Sequence, residues 1–121
     1  MKFEINSGSF PVTICVIICS KKKAVKKANK IQRRKGDDKI TIDRLSDLDG
    51  LFITHKSWPC IIWLPKAPET PKEISTASHE LLHATFDTLA HVGVEYNDGS
   101  EETFTYLFGH YMEQFLNNCN K

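Results

Sequence analysis

The sequence predicts an α+β fold: a small three- to four-stranded sheet, an N-terminal basic helix and two C-terminal helices. Three observations predict it. Val12 to Cys19 (VTICVIIC) is a continuous apolar, β-branched run of strand length. Ser20 then opens a lysine-rich segment whose apolar residues recur at helical spacing. Two longer segments with helix-start residues close the chain, and the first contains His79-Glu80-Leu81-Leu82-His83.

A chain of 121 residues is long enough for one domain, 1–121, with a core that needs no disulfide or structural metal. Its 40% hydrophobic and 26% charged residues are ordinary for a water-soluble globular protein. Met1 to Ser9 lacks a basic start followed by a long apolar run, so no signal peptide is expected. The most apolar stretch falls far short of the ~20 residues of a membrane helix, so no membrane role is expected. Cys15, Cys19, Cys60 and Cys119 show no CxxC spacing, and free thiols in a reducing cytoplasm are the expectation. The expected state is a monomer.

The elements follow in order. The run to Cys19 is bounded by Pro11 and Ser20 and reads as a strand buried on both faces. Ser20 is a suitable N-cap for a helix to about Arg34, closed by Gly36, with Ala24, Val25, Ala28 and Ile31 on its inward face. Asp37 to Gly50 has turn chemistry around a short strand at Lys39 to Ile42. Leu51 to Thr54 and Cys60 to Leu64 read as two further strands. Pro65, Pro68 and Pro71 interrupt regular structure before the next helix, which starts at Thr70 or Pro71 and runs to about His91, near Gly93. Asp98 or Ser100 caps the last helix, which continues to about Asn117; the loop between these two helices is short enough to make them neighbours.

Charge is unevenly distributed. Of 16 basic residues, nine lie between Lys21 and Lys35: Lys21, Lys22, Lys23, Lys26, Lys27, Lys30, Arg33, Arg34 and Lys35. The seven others stand against all 15 acidic residues, a balance of −8 outside this segment. Such a face either contacts nucleic-acid phosphates or is simply solvated.

The chemistry-bearing motif is HExxH. Residues at i and i+4 project side by side from a helix, so His79 and His83 can reach one zinc ion. Glu80 then lies beside the open coordination position, where it can take a proton from water and pass it to a leaving amine. A catalytic zinc takes a third protein ligand. Glu101 and Glu102, in the first turn of the last helix, are the leading candidates, with Asp87, His91 and His110 behind them. Periodicity favours Glu101, which shares a stripe with Phe104, Phe108, Tyr111 and Phe115.

His79 to Gly109 resembles the active-site region of the gluzincins, the thermolysin-like zinc metallopeptidases. His79, Glu80 and His83 match their HExxH, Ala84 and Asp87 match the A-x-x-D extension, and Glu102 falls where the ligand glutamate falls. Glu102 to Leu107 (ETFTYL) is also similar to the ligand helix of the small cytosolic ImmA/IrrE-type metallopeptidases, many of them encoded by phages and mobile elements. The resemblance implies a minimal zincin-like metallopeptidase with zinc on His79, His83 and Glu102, Glu80 as base, and a protein or peptide substrate such as a cytosolic regulatory protein. Two departures accompany it. Tyr106 stands where thermolysin-like enzymes have an aspartate that orients a ligand histidine, so either Asp87 takes over part of that task or the site binds zinc less tightly. The family's oxyanion-steadying histidine has no counterpart, and Tyr96, Tyr106 and His110 are the residues that could replace it. In zincins a sheet edge beside the site pairs with extended peptide; Cys60 to Leu64, the strand nearest the motif in sequence, is either that edge or a plain core strand, and Trp58 and Trp63 either line a groove or, as is usual for tryptophan, fill the core.

Overall fold

The computed structural model describes residues 1–55 and 59–120. It has an α+β architecture with one mixed four-stranded sheet between a single helix and a pair. The strands are β1 (Lys2–Ser7), β2 (Phe10–Ile18), β3 (Leu51–Ile53) and β4 (Cys60–Leu64), and the helices are α1 (Lys21–Ile31), α2 (Pro71–His91) and α3 (Glu101–Cys119). The sheet order is β1-β2-β4-β3: β2 and β4 run parallel, while β1 and β3 are antiparallel edge strands.

The apolar run of the sequence is the centre of the sheet. Ile14, Val16 and Ile18 of β2 join Cys60, Ile62 and Leu64 of β4 on the face that meets α2 and α3. Cys15 and Ile17 join Ile61 and Trp63 on the other face, against Ala24 and Ala28 of α1. Both faces are covered, so alternation of apolar and polar residues disappears from these strands.

Several expectations are corrected. The edge strand β1 was not anticipated; KFEINS alternates Phe3 and Ile5 inward with polar residues outward, a short and weak pattern. Lys39 to Ile42 is not a strand. Asn29 holds both backbone groups of Ile40, through Nδ2 to its C=O at 3.0 Å and Oδ1 from its N–H at 2.8 Å. The surrounding chain forms two 3₁₀ turns, Gly36–Asp38 and Ile42–Leu45. Cys60 to Leu64 is an internal strand with a neighbour on each side, so it has no free edge; the edge beside α2 is β3. Trp63 is fully buried and donates its Nε1–H to the Cys19 C=O at 3.0 Å, which makes it a core residue. Trp58, the other candidate for a groove or core role, lies outside the described residues.

Helix α1 ends at Ile31, earlier than expected, in a Schellman motif. Arg34 N–H donates to the Asn29 C=O at 2.9 Å and Arg33 N–H to the Lys30 C=O at 3.2 Å, with Arg33 at φ 51°. Helix α2 ends the same way, with Gly93 at φ 81° in the equivalent position and Val94 N–H on the Leu89 C=O at 2.8 Å.

Candidate metal centre

The start of α2 sets the phase of everything on it. Thr70 Oγ1 accepts from the Glu73 N–H at 3.2 Å, Glu73 Oε1 accepts from the Thr70 N–H at 3.0 Å, and Pro71 fills the first turn. A hydrogen-bonded Lys66 ammonium, 2.8 Å away, and the Glu69 and Thr70 amides hold the Glu73 carboxyl down to about 2. From that origin Ala77, Leu81, Ala84 and Thr88 face inward, while His79, Leu82, His83 and Phe86 face solvent.

The two histidines converge. Their Nε2 atoms are 3.1 Å apart and the rings meet edge to face at 82°. Two nitrogens bound to one tetrahedral zinc at about 2.0–2.1 Å stand about 3.3 Å from each other, so this pair fits a single ion with little adjustment. His79 is 67% exposed in its side chain, so an ion would be reached from solvent.

Glu80 occupies a different environment on the same turn. It is buried, and its Oε1 accepts the Phe52 N–H of β3 at 2.8 Å. Its Oε2 lies 3.9 Å from His79 Nε2. The strand amide satisfies one carboxylate oxygen and leaves the other directed at the imidazoles. Donor atoms of His79, Glu80 and His83 all lie within 4.8 Å of one another, and the group could hold a metal ion. Residue spacing gave this trio, but nothing local in the sequence points from Glu80 to Phe52, 28 residues earlier. The only hint is a short apolar strand after Gly50, whose hydrogen leaves room for Leu64 and Thr76 where a Cβ would sit 2.9 and 3.2 Å from their carbons.

Glu102 is not in that group. It is exposed, and it borders a surface hollow together with Ser7, Phe10 and Tyr106. The reason is the register of the helix pair. Phe86 packs on Phe104 with ring centroids 5.1 Å apart, and Ser78 Oγ meets Met112 Sδ at 3.6 Å, so α3 runs antiparallel with Leu107 level with His83. Glu102 is five residues before Leu107, an axial offset of about 7–8 Å at 1.5 Å per residue. Glu101 is exposed one residue further back.

The remaining candidates are dispersed. Asp87 Oδ2 accepts from the Cys60 thiol at 3.4 Å; burial, reinforced by Asp87, pushes that thiol up to about 12. Tyr106, 73% exposed, stacks over His110, whose Nε2 is 3.4 Å from Asn6 Oδ1 on the β1 side of the molecule. Tyr96 instead packs against Phe86 and Phe104, with centroids at 5.9 and 5.0 Å. These three rings border an apolar hollow of about 410 Å³, one turn along α2 from His83. His91 is exposed in the last turn of α2.

All four cysteines are free, and none of the described helices is long and apolar enough to cross a membrane. No family model matches the chain, and no curated protein or solved structure is significantly similar to it.

Proposed function

We propose that this protein is a zinc-dependent peptidase whose ion is held by His79 and His83 and whose base is Glu80. The observation that carries the reading is the convergence of the two Nε2 atoms, 3.1 Å apart, beside a carboxylate fixed by a strand amide. Zinc bound there supplies Lewis acidity, which polarises a substrate carbonyl and lowers the pKa of water.

The chain's own groups do the rest. His79 and His83 bind as neutral imidazoles through Nε2. Glu80 keeps Oε1 on the Phe52 N–H and offers Oε2 to accept the proton of the attacking water, then returns it to the leaving amine. The polar groove of about 420 Å³ along Leu51 to Thr54 offers a substrate segment a channel beside β3, whose own edge groups are already engaged by Glu80 at the Phe52 N–H and by Arg34 at the Thr54 C=O. Phe86 and Tyr96 offer an apolar surface for one substrate side chain. Glu102 completes the ligand set only if the start of α3 moves toward His83 by most of the axial offset between them.

A second reading is favoured by the position of Glu80 within the donor group, where Glu102 is outside it. Glu80 is then the third ligand, and the centre binds metal without turnover. Glu80→Gln separates the two. With Glu80 as base, the variant retains zinc and loses about 100-fold or more of peptide cleavage, scored by mass spectrometry on a peptide pool. With Glu80 as ligand, the variant loses zinc affinity and the wild type cleaves nothing.

A further inference from the structure

The face of the molecule opposite the metal centre carries a second feature. Helix α1 buries Ala24 and Ala28 on the sheet and turns Lys22, Lys23, Lys26, Lys30 and Arg33 to solvent, with Lys35 exposed just beyond. Lys22, Lys26 and Lys30 lie at i, i+4 spacing along one stripe, about 12 Å long at 1.5 Å per residue, and Arg33 follows just past the helix end. None of these six cations makes an ion pair or a side-chain hydrogen bond among the described residues. Lys21 and Arg34 differ: Lys21 donates to the Ser46 C=O, and Arg34 to Gln32, Asp38 and the Thr54 C=O.

Folding alone disfavours this arrangement in three ways. Lys21, Lys22 and Lys23 occupy the first turn, where the helix dipole repels cations, and no acid is there to compensate. Lys22, Lys26 and Lys30 repel one another at i, i+4 spacing. Arg33 takes a left-handed conformation at the helix end, in the position that Gly93 fills for α2. Apart from Lys21, these penalties fall on solvent-facing cations, and a polyanion would offset the two electrostatic ones.

We propose that α1 docks on the phosphate backbone of double-stranded DNA without reading its sequence. Two other polyanions fit less well. Helix α1 has no aromatic residue on which unpaired bases could stack. Its apolar face is used by the sheet, and the only exposed large apolar residue on the adjoining turn is Ile42, so α1 has nothing to insert into a lipid surface. Seated in the major groove of B-form DNA, which is wide enough to admit a helix, α1 has phosphates on both sides of it, whereas the major groove of an RNA duplex is too narrow. The excess of acid elsewhere in the chain orients the approach, with the positive layer leading.

The test is fluorescence anisotropy of a labelled DNA duplex titrated with the full chain at several salt concentrations. Four to six phosphate contacts predict a slope of log affinity against log salt of about −4 to −5. The triple variant Lys22→Gln, Lys26→Gln, Lys30→Gln should bind at least about tenfold more weakly, with a slope shallower by about 3. Its melting temperature should equal or exceed that of the wild type, because repulsion is removed and Gln is helix-compatible. Arg33→Gly, which restores the preferred residue, should lose about one unit of slope without loss of stability. His83→Ala, in the opposite layer, should bind DNA as the wild type does. Absence of salt-sensitive binding, unchanged binding by the triple variant, or tighter binding to single strands, RNA duplexes or anionic vesicles would overturn the proposal.

Discussion

At the residue scale, local spacing was the most informative signal. His79 and His83 were legible because i and i+4 on any helix are neighbours, and the structure brings their nitrogens together. Glu80 was legible as their companion, but its anchor on Phe52 was not, because that contact depends on where a distant strand lies. Arg33 shows the reverse case, in which sequence pointed to Gly36 as the helix stop and the backbone turned at a residue of ordinary chirality. A left-handed residue with a Cβ costs about 1 kcal/mol relative to glycine. Arg33→Gly should therefore stabilise the fold by up to about 1 kcal/mol in chemical denaturation, slightly less after the added freedom of glycine in the unfolded chain. A destabilised variant would mean that the Arg33 side chain makes a contact that outweighs its backbone strain.

At the element scale, helices were more legible than strands. Their start and stop signals are contained in four or five residues: α2 begins at Pro71, behind Thr70, and ends at His91, near Gly93, where the sequence placed it, while the Thr70–Glu73 box that fixes its start is seen in the structure. Strand order is not written locally. Nothing in CIIWL distinguishes an internal strand from an edge, and β4 became internal only because the three residues of β3 pair outside it. The axial register of α2 and α3 was equally hidden, since it is set by Phe86 on Phe104 and Ser78 on Met112. The box itself has a pH signature. Lys66 and the two amides depress the Glu73 carboxyl from its ordinary 4.5 to about 2, so its charge stabilises the fold above pH 4.5 and that contribution is lost as pH falls toward 2. Wild type should be more stable than Glu73→Gln at neutral pH, and the gap in melting temperature should close over that acidic interval. A gap independent of pH would assign the difference to the cap hydrogen bonds alone.

At the scale of the whole molecule, the sheet separates two chemistries. The layer of α2 and α3 carries the histidine pair with Glu80, and the layer of α1 carries the unpaired cations. Charge counts predicted the second layer, and a pentapeptide predicted the first, yet neither showed that they would face opposite ways. The central claim is that His79 and His83 hold a zinc ion. Its most direct measurement is the zinc content of purified, zinc-loaded and desalted protein, determined by atomic emission for the wild type, His79→Ala and His83→Ala. If the two histidines hold the ion, the wild type carries one zinc per chain and both variants lose it while remaining folded; equal zinc in all three would rule the site out.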